Sequence, residues 1–322
     1  MIEAFRLTER LSFVAPLGVR FWDTVSGEIV SGGLSVTAYP AHGAGRPTRA
    51  VANRSGTFVL HHAYGLGDIE RGAGDEEFWQ SPPPRAPFVV EVADYEGRFL
   101  PFTLDADLPV RGLMRWQHPP GRERLAPETA VPLYASPTRP VPQALAVLRT
   151  ELGDTSTNGP AAWAVLEAKM NGRLLGRSVA DAQGRVALLF AYPEPLDFTS
   201  GGGGPSSPLS PPGAFATGPP FLQQEWRVRL DAFYTPAAVS SPPSAISPPG
   251  AAARRAPDLY DILAQQPVPL WDGPARAQQL TEVRLRYGRE LVVRPAGAAS
   301  SPPTAPTPLP ELFISTAGLT PS

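Results

Sequence analysis

Three stretches of the chain follow one template: VANRSGTFVL at 51–60, VADYEGRFLP at 92–101 and VADAQGRVAL at 179–188. In each, an alternating run meets Asp or Asn, and a Gly three residues later precedes a second apolar run. An Asp or Asn at the first turn position accepts a hydrogen bond from the backbone two residues on. Gly at the fourth position takes positive φ and forms the bulge through which the chain re-enters a sheet. Asn53 with Gly56, Asp94 with Gly97, and Asp181 with Gly184 are therefore predicted hairpin-turn residues with a structural role. A calcium loop of the EF-hand kind needs several oxygen ligands, and each phrase supplies one or two. A phosphate cradle needs its glycine turn to open a helix, and here it opens a strand.

The sequence around these turns has period two. Leu34, Val36 and Ala38 alternate with Ser35 and Thr37. Phe58, Leu60, His62 and Tyr64 fall on one predicted face, as do Phe88, Val90 and Val92, and Leu100, Phe102 and Leu104. Short strands with one buried face, separated by Gly and Pro, predict a β-sandwich over 10–115. Residues 65–87 form a long insertion with Asp68, Glu70, Asp75, Glu76 and Glu77, read as a solvated acidic loop. Phe78 and Trp79 beside those charges are either folded back on the sheet or a partner contact.

At 116–128 the periodicity gives way to Pro and charge, which predicts a linker. A second sandwich is expected over 129–322. AAWAVLEAKM (161–170) reads as a central strand, and Asn171-Gly172 as a type I′ turn. EWRVRLDAF, TEVRLRYGRELVV and LFIST supply further strands, and DLYDILAQQ (258–266) a short helix capped by Asp258. Pro/Gly/Ser/Ala tracts at about 199–220, 236–257 and 295–310 interrupt this segment and are expected to be mobile. With 41 Pro and 30 Gly among 322 residues, turns and such tracts outweigh helices.

Charge and composition exclude several function classes. A net charge of −2 offers no global attraction to nucleic acid. Of 28 basic residues only Lys169 is lysine, which reads as an arginine-biased genome. Without cysteine there is no disulfide or thiolate chemistry. The charged N-terminal stretch does not resemble a signal peptide, and no run approaches the ~18 apolar residues of a membrane span. The expected location is the cytoplasm, with release on lysis.

No sequence motif for catalysis is evident. His61 and His62 are adjacent, so on a regular strand they point to opposite faces and cannot chelate one ion; one core and one surface histidine is expected. His42 and His118 fall in presumed loops. GGGG at 201–204 lies in a Pro/Ser tract and reads as a linker. A pair of carboxylates assembled in space remains compatible with glycosidase chemistry. The expectation is a non-enzyme without cofactor or metal, and three tryptophans, Trp22, Trp79 and Trp116, are candidates for an exposed carbohydrate-stacking platform.

Asn53–Phe58 and Asp181–Val186, each between strands, resemble the signature of carboxypeptidase-regulatory-like (transthyretin-like) β-sandwich modules. Asp94–Phe99 fits the turn but comes where such modules place a later strand. LGVRFWDTVSG (17–27), VADAQGRVALLFAYPEP (179–195) and YGRELVVR (287–294) resemble proteins of bacterial extracellular contractile injection systems, the phage tail-like particles. The resemblance implies an all-β chain of two Ig-like or transthyretin-like sandwiches carrying Pro/Gly/Ser-rich insertions. It also implies a non-catalytic accessory or scaffold role, with other proteins of a multi-subunit assembly as partners. Carbohydrate is the alternative ligand.

Overall fold

The protein is described from a computed structural model covering residues 14–42, 45–72, 80, 84–142, 144–193, 224–237, 239, 256–276, 278–288, 291–292 and 311–315. It is an all-β chain. Its contacts divide into two compact units, Met1–Tyr134 with Ala237–Ala264, and Ala135–Pro236 with Gln265–Ser322.

In the first unit, β1 (Leu17–Asp23) is the hub of one sheet. It pairs antiparallel with β2 (Glu28–Ile29) and with β6 (Thr57–Leu60), which continues to β5 (Val51–Ala52). A late strand, β9 (Val131–Leu133), joins β1 in parallel. The second sheet runs β4 (Thr48–Arg49), β3 (Leu34–Pro40), β7 (Ala86–Asp94), β8 (Phe102–Leu108). The chain changes sheets at Ala50, which is buried and whose N–H donates to the Val36 carbonyl at 2.8 Å. Strand alternation sends Leu17, Val19, Phe21, Val36, Phe58, Val90 and Leu104 into the core. Phe21 meets Phe58 edge-on, 5.3 Å between centroids.

The structure corrects the reading of several segments in this unit. The run TFVLHHAY ends as a strand at Leu60, because His62 takes φ 57°. The segment beyond it is not all loop: α1 (Gly67–Gly72) carries Glu70, 4% exposed, whose carboxylate accepts the N–H groups of His62 and Ala63 at 2.9 and 3.0 Å. Residues 116–128, expected as a linker, belong to the unit. Trp116 and Ala126 are buried, and the Trp116 backbone N–H donates to the Glu128 carbonyl at 2.9 Å. The predicted helix forms as α2 (Leu259–Leu263), but it completes the first unit and not the second. The Thr103 N–H on β8 donates to the Pro257 carbonyl at 2.9 Å, and Leu259, Ile262 and Leu263 are buried. Three apolar side chains on one face of a single turn are the physical reason it packs back.

In the second unit, β10 (Leu145–Asp154) is the hub. It pairs with β11 (Gly159–Pro160), β14 (Arg185–Ala191), and in parallel with β19 (Leu291–Val292) and β20 (Glu311–Ile314). The other sheet places β12 (Val165–Met170) between β13 (Arg173–Val179) and β15 (Glu225–Phe233). Strands β16 (Pro267–Val268) and β18 (Glu282–Arg286) pair with β15, while β17 (Leu270–Trp271) joins β20. Asn171 and Gly172 have φ of 51° and 79°, the two left-handed residues that a type I′ turn requires. Trp226, Leu148, Leu166 and Leu188 fill the core. Almost all of the three low-complexity tracts lies outside the described residues.

The units repeat one plan. Strand β6 pairs with β1 as β14 does with β10; β7 pairs with β3 as β15 does with β12. A late strand lies parallel to each hub. The Thr24 hydroxyl donates to the Leu133 carbonyl at 2.8 Å, and the Thr155 hydroxyl to the Ile314 carbonyl at 3.3 Å. These threonines follow Asp23 and Asp154, 4% and 1% exposed, at the ends of the hubs.

Candidate functional site

The repeated phrases are occupied by the fold. Asn53 Oδ1 accepts from the N–H groups of Ser55 and Thr57, both at 3.0 Å. Asp94 Oδ2 accepts from the Arg98 N–H at 2.6 Å, and Asp181 Oδ1 from the N–H groups of Gln183 and Arg185, both at 2.9 Å. Gly56, Gly97 and Gly184 have φ of 72°, 68° and 78°. Two of the carboxylates also bind the arginine that ends the phrase: Asp94 to Arg98 at 3.0 Å and Asp181 to Arg185 at 2.7 Å. Burial works against the Asp94 charge, but the Arg98 side chain and N–H outweigh it and hold the carboxyl below its ordinary range. The Asp94 turn joins paired strands β7 and β8, whereas the Asp181 turn carries the chain between sheets, from β13 to β14.

Sequence reading missed two turns of the same kind. The Val25 N–H donates to Asp23 Oδ1 at 3.0 Å, and the Ser156 N–H to Asp154 Oδ1 at 2.8 Å. The signal was present as Asp-Thr followed by Gly within five residues, in DTVSG and DTSTNG.

His61 and His62 are both exposed, so the expected core histidine is absent from this pair: the left-handed residue His62 ends the strand before either ring can turn inward. Phe78 and Trp79 lie outside the described residues. Trp116 is 8% exposed, too buried to offer a stacking face, and Trp22 is half-buried on β1. Trp79, the third candidate for that platform, lies outside the described residues.

The second unit holds a cluster of charges that periodicity does not reveal. Glu167 and Arg177 sit opposite each other on β12 and β13, with side chains 3% and 0% exposed and 2.7 Å apart. Lys169 Nζ reaches Glu167 at 2.8 Å and Asp231 at 2.9 Å, and Arg229 also pairs with Asp231. The chain's one lysine is thus a bridge between two carboxylates. Burial pushes the Glu167 carboxyl up, but Arg177 and Lys169 together bring it below its usual range. Every charge here has a partner, which is what burial demands.

In the first unit a cleft of about 630 Å³ opens beside β8 and α2. Four carboxylates line it: Asp105 and Asp107 from β8, Asp258 and Asp261 from the start of α2. Arg85, Arg111 and Arg115 line it too, with Trp116 and Tyr260. Strand alternation places Asp105 and Asp107 on one face, and both are exposed. Asp258 caps α2, its Oδ1 accepting the N–H groups of Tyr260 and Asp261 at 2.8 and 3.4 Å. Burial, joined by the charges of Asp105 and Asp261, raises the Asp258 carboxyl to about 6. The Trp116 indole N–H, buried at the cleft wall, has no hydrogen-bond acceptor among the described residues. Among those residues no three His, Asp or Glu side chains converge as a metal site, and no helix is long and apolar enough to cross a membrane.

No family model, curated protein or solved structure matches the chain.

Proposed function

We propose that the protein is a non-catalytic structural or accessory component of a larger assembly, of the phage tail-like contractile injection kind. The observation that supports a structural role is the duplication: two β-sandwich units built on one strand plan, with their repeated Asp/Asn phrases spent on closing turns; the kind of assembly is proposed from the resemblance of residues 17–27, 179–195 and 287–294. Each unit presents loops and strand ends on a rigid frame, the arrangement by which sandwiches serve as contact modules. Tyr95, 62% exposed, is pinned at such an end: its hydroxyl donates to the Leu34 carbonyl at 2.7 Å and accepts from Arg49 at 2.9 Å. An ordered exposed aromatic loses little conformational freedom on contact.

The test is sedimentation of intact particles from the cells that make the protein. Co-sedimentation with sheath, tube or baseplate proteins is expected. A chain that stays monomeric in the supernatant while those proteins pellet would refute the assignment.

A further inference from the structure

From the outer edge of a sheet in the second unit we infer a docking site: β18 accepts an extended, acidic segment of a partner protein as an added strand. An unfilled backbone edge and a surplus of guanidiniums beside it carry the inference.

Strand β18 pairs with β15 in a fixed register, Arg227 opposite Arg284 and Glu225 opposite Arg286. The Leu230 N–H donates to the Thr281 carbonyl at 3.0 Å, and the Tyr287 N–H to the Gln224 carbonyl at 3.4 Å. These bonds lie at the two ends of the pairing and set its parity, because hydrogen-bonded pairs alternate with non-hydrogen-bonded ones. Val283 and Leu285 therefore turn their N–H and C=O groups toward β15. Those of Glu282, Arg284 and Arg286 point away from it, and no described residue bonds to them. An extended peptide can add to such an edge, its backbone supplying affinity and its alternate side chains specificity.

The side chains set the chemistry of the occupant. Arg227 and Arg284 form a non-hydrogen-bonded pair, the kind in which side chains stand closest, and like charges directly opposite destabilise a sheet. Both are exposed, as are Arg229 and Arg286. Arg229 binds Asp231 at 2.8 Å. Among the described residues, Arg227 has no carboxylate partner, and Arg284 and Arg286 share one, Glu225, each at 3.9 Å. That distance is too long for a hydrogen bond, so the donors of three guanidiniums stay open. A charge on an edge strand guards against stray pairing, but Arg227 stands on β15, behind the edge, where no such guard is needed. An added strand would place alternate side chains on this face about 6–7 Å apart, the spacing of Arg284 and Arg286. Asp or Glu at those positions would meet the arginines in turn through charge-assisted hydrogen bonds.

Other occupants fit less well. Nucleic acid or an anionic membrane brings evenly spread charge, and Glu225 and Glu282 on the same face would oppose it. A second copy adding its own β18, centred on Arg284, would gather Arg227 and Arg284 of both chains in one place.

The test is fluorescence anisotropy of the full chain with a labelled octapeptide of alternating Glu and Thr, its Lys–Thr counterpart and a labelled DNA duplex. Saturable binding of the Glu–Thr peptide alone is expected, weakening as salt rises. The double variant Arg227→Gln with Arg284→Gln should weaken it about tenfold or more. Arg54→Gln, an exposed change in the other unit, should leave it unchanged. Glu282→Pro removes an outward N–H that β15 does not use, at an edge position where proline is tolerated, and also deletes a negative charge. Strand addition predicts weaker binding in this variant, whereas surface charge alone predicts tighter binding. Without peptide, the arginine double variant should melt no lower than wild type, because it relieves a like-charge pair. Absence of Glu–Thr binding, binding that survives loss of both arginines, tighter binding by Glu282→Pro, or tighter binding of DNA than of the peptide overturns the inference. So does a clear drop in the melting temperature of the arginine variant, which would make the pair structural. Because the readout uses the isolated chain, its outcome is separate from that of the sedimentation test.

Discussion

Replacing Arg177 with Met should cost the second unit about 3 kcal/mol at neutral pH. The side chain is fully buried and its guanidinium lies 2.7 Å from Glu167, itself 3% exposed. Removing one member of such a pair leaves a buried charge uncompensated, at roughly 3–5 kcal/mol. The lower end applies because Lys169 remains 2.8 Å from Glu167. Calorimetric unfolding should show the variant melting about 6–12 °C lower. The double variant Glu167→Leu with Arg177→Met removes both charges and should recover most of the loss, since a buried pair is often replaceable by apolar side chains at little cost.

Acid titration of the same variant is a second, independent check. In the wild type, burial raises the Glu167 carboxyl but Arg177 and Lys169 pull it below 4.5. A folded value below the unfolded one contributes stability that is present above the unfolded value and lost as pH falls through the folded one. Without Arg177 that depression is relieved and burial gains weight, so protonation becomes easier in the folded variant. The gap between variant and wild type should therefore narrow on acidification from pH 7 toward pH 4.5. A deficit below about 1 kcal/mol, or one that stays constant across that range, would refute the claim that a buried uncompensated carboxylate is the cause.

Two glycine substitutions separate backbone strain from steric conflict. Gly97 has φ 68° with open space where a Cβ would stand, so Gly97→Ala should cost only about 1–2 kcal/mol. Gly184 has φ 78° and an added Cβ would run into the Leu152 carbonyl, so Gly184→Ala should cost clearly more in urea unfolding, and an equal cost would contradict the packing. Asp258 has the opposite sign from Glu167: its folded value, about 6, lies above the ordinary 3.8. The stability associated with it is complete below the ordinary value and declines as pH rises through about 6. Asp258→Asn should abolish that decline in a pH series of melting curves. Asn53→Ala removes the acceptor of two backbone N–H groups and should cost about 1–2 kcal/mol, while Asn53→Asp should be nearly neutral.

The legible features were those whose cause lies within a few residues. Asn53, Asp94 and Asp181 bond to the backbone two or four residues on, and Asn171-Gly172 makes its turn from its own dihedrals. Alternation in EWRVRLDAF fixes which side chains of β15 are buried, and Asp258 caps α2 from the adjacent position. Where a local rule failed, a local conformation had intervened: His62 leaves the strand by its positive φ, and the alternation beyond it lost its meaning.

Features that bring distant residues together carry no such local signal. The residues of α2 return to the first unit because Thr103 and Pro257 meet across the chain and three apolar side chains need cover. No periodicity encodes that partner. Strands β9 and β20 lie parallel to their hubs through pairings more than a hundred residues apart. Glu167 and Arg177 carry no mark in the sequence of the burial and cross-strand pairing that join them in the folded sheet. The cleft carboxylates come from two such separated segments. Strands and the turns between them depend on neighbours along the chain, so the order of residues is enough to place them. Which strands pair, which charges are buried and where a ligand could sit depend on side chains that meet only once the chain has folded.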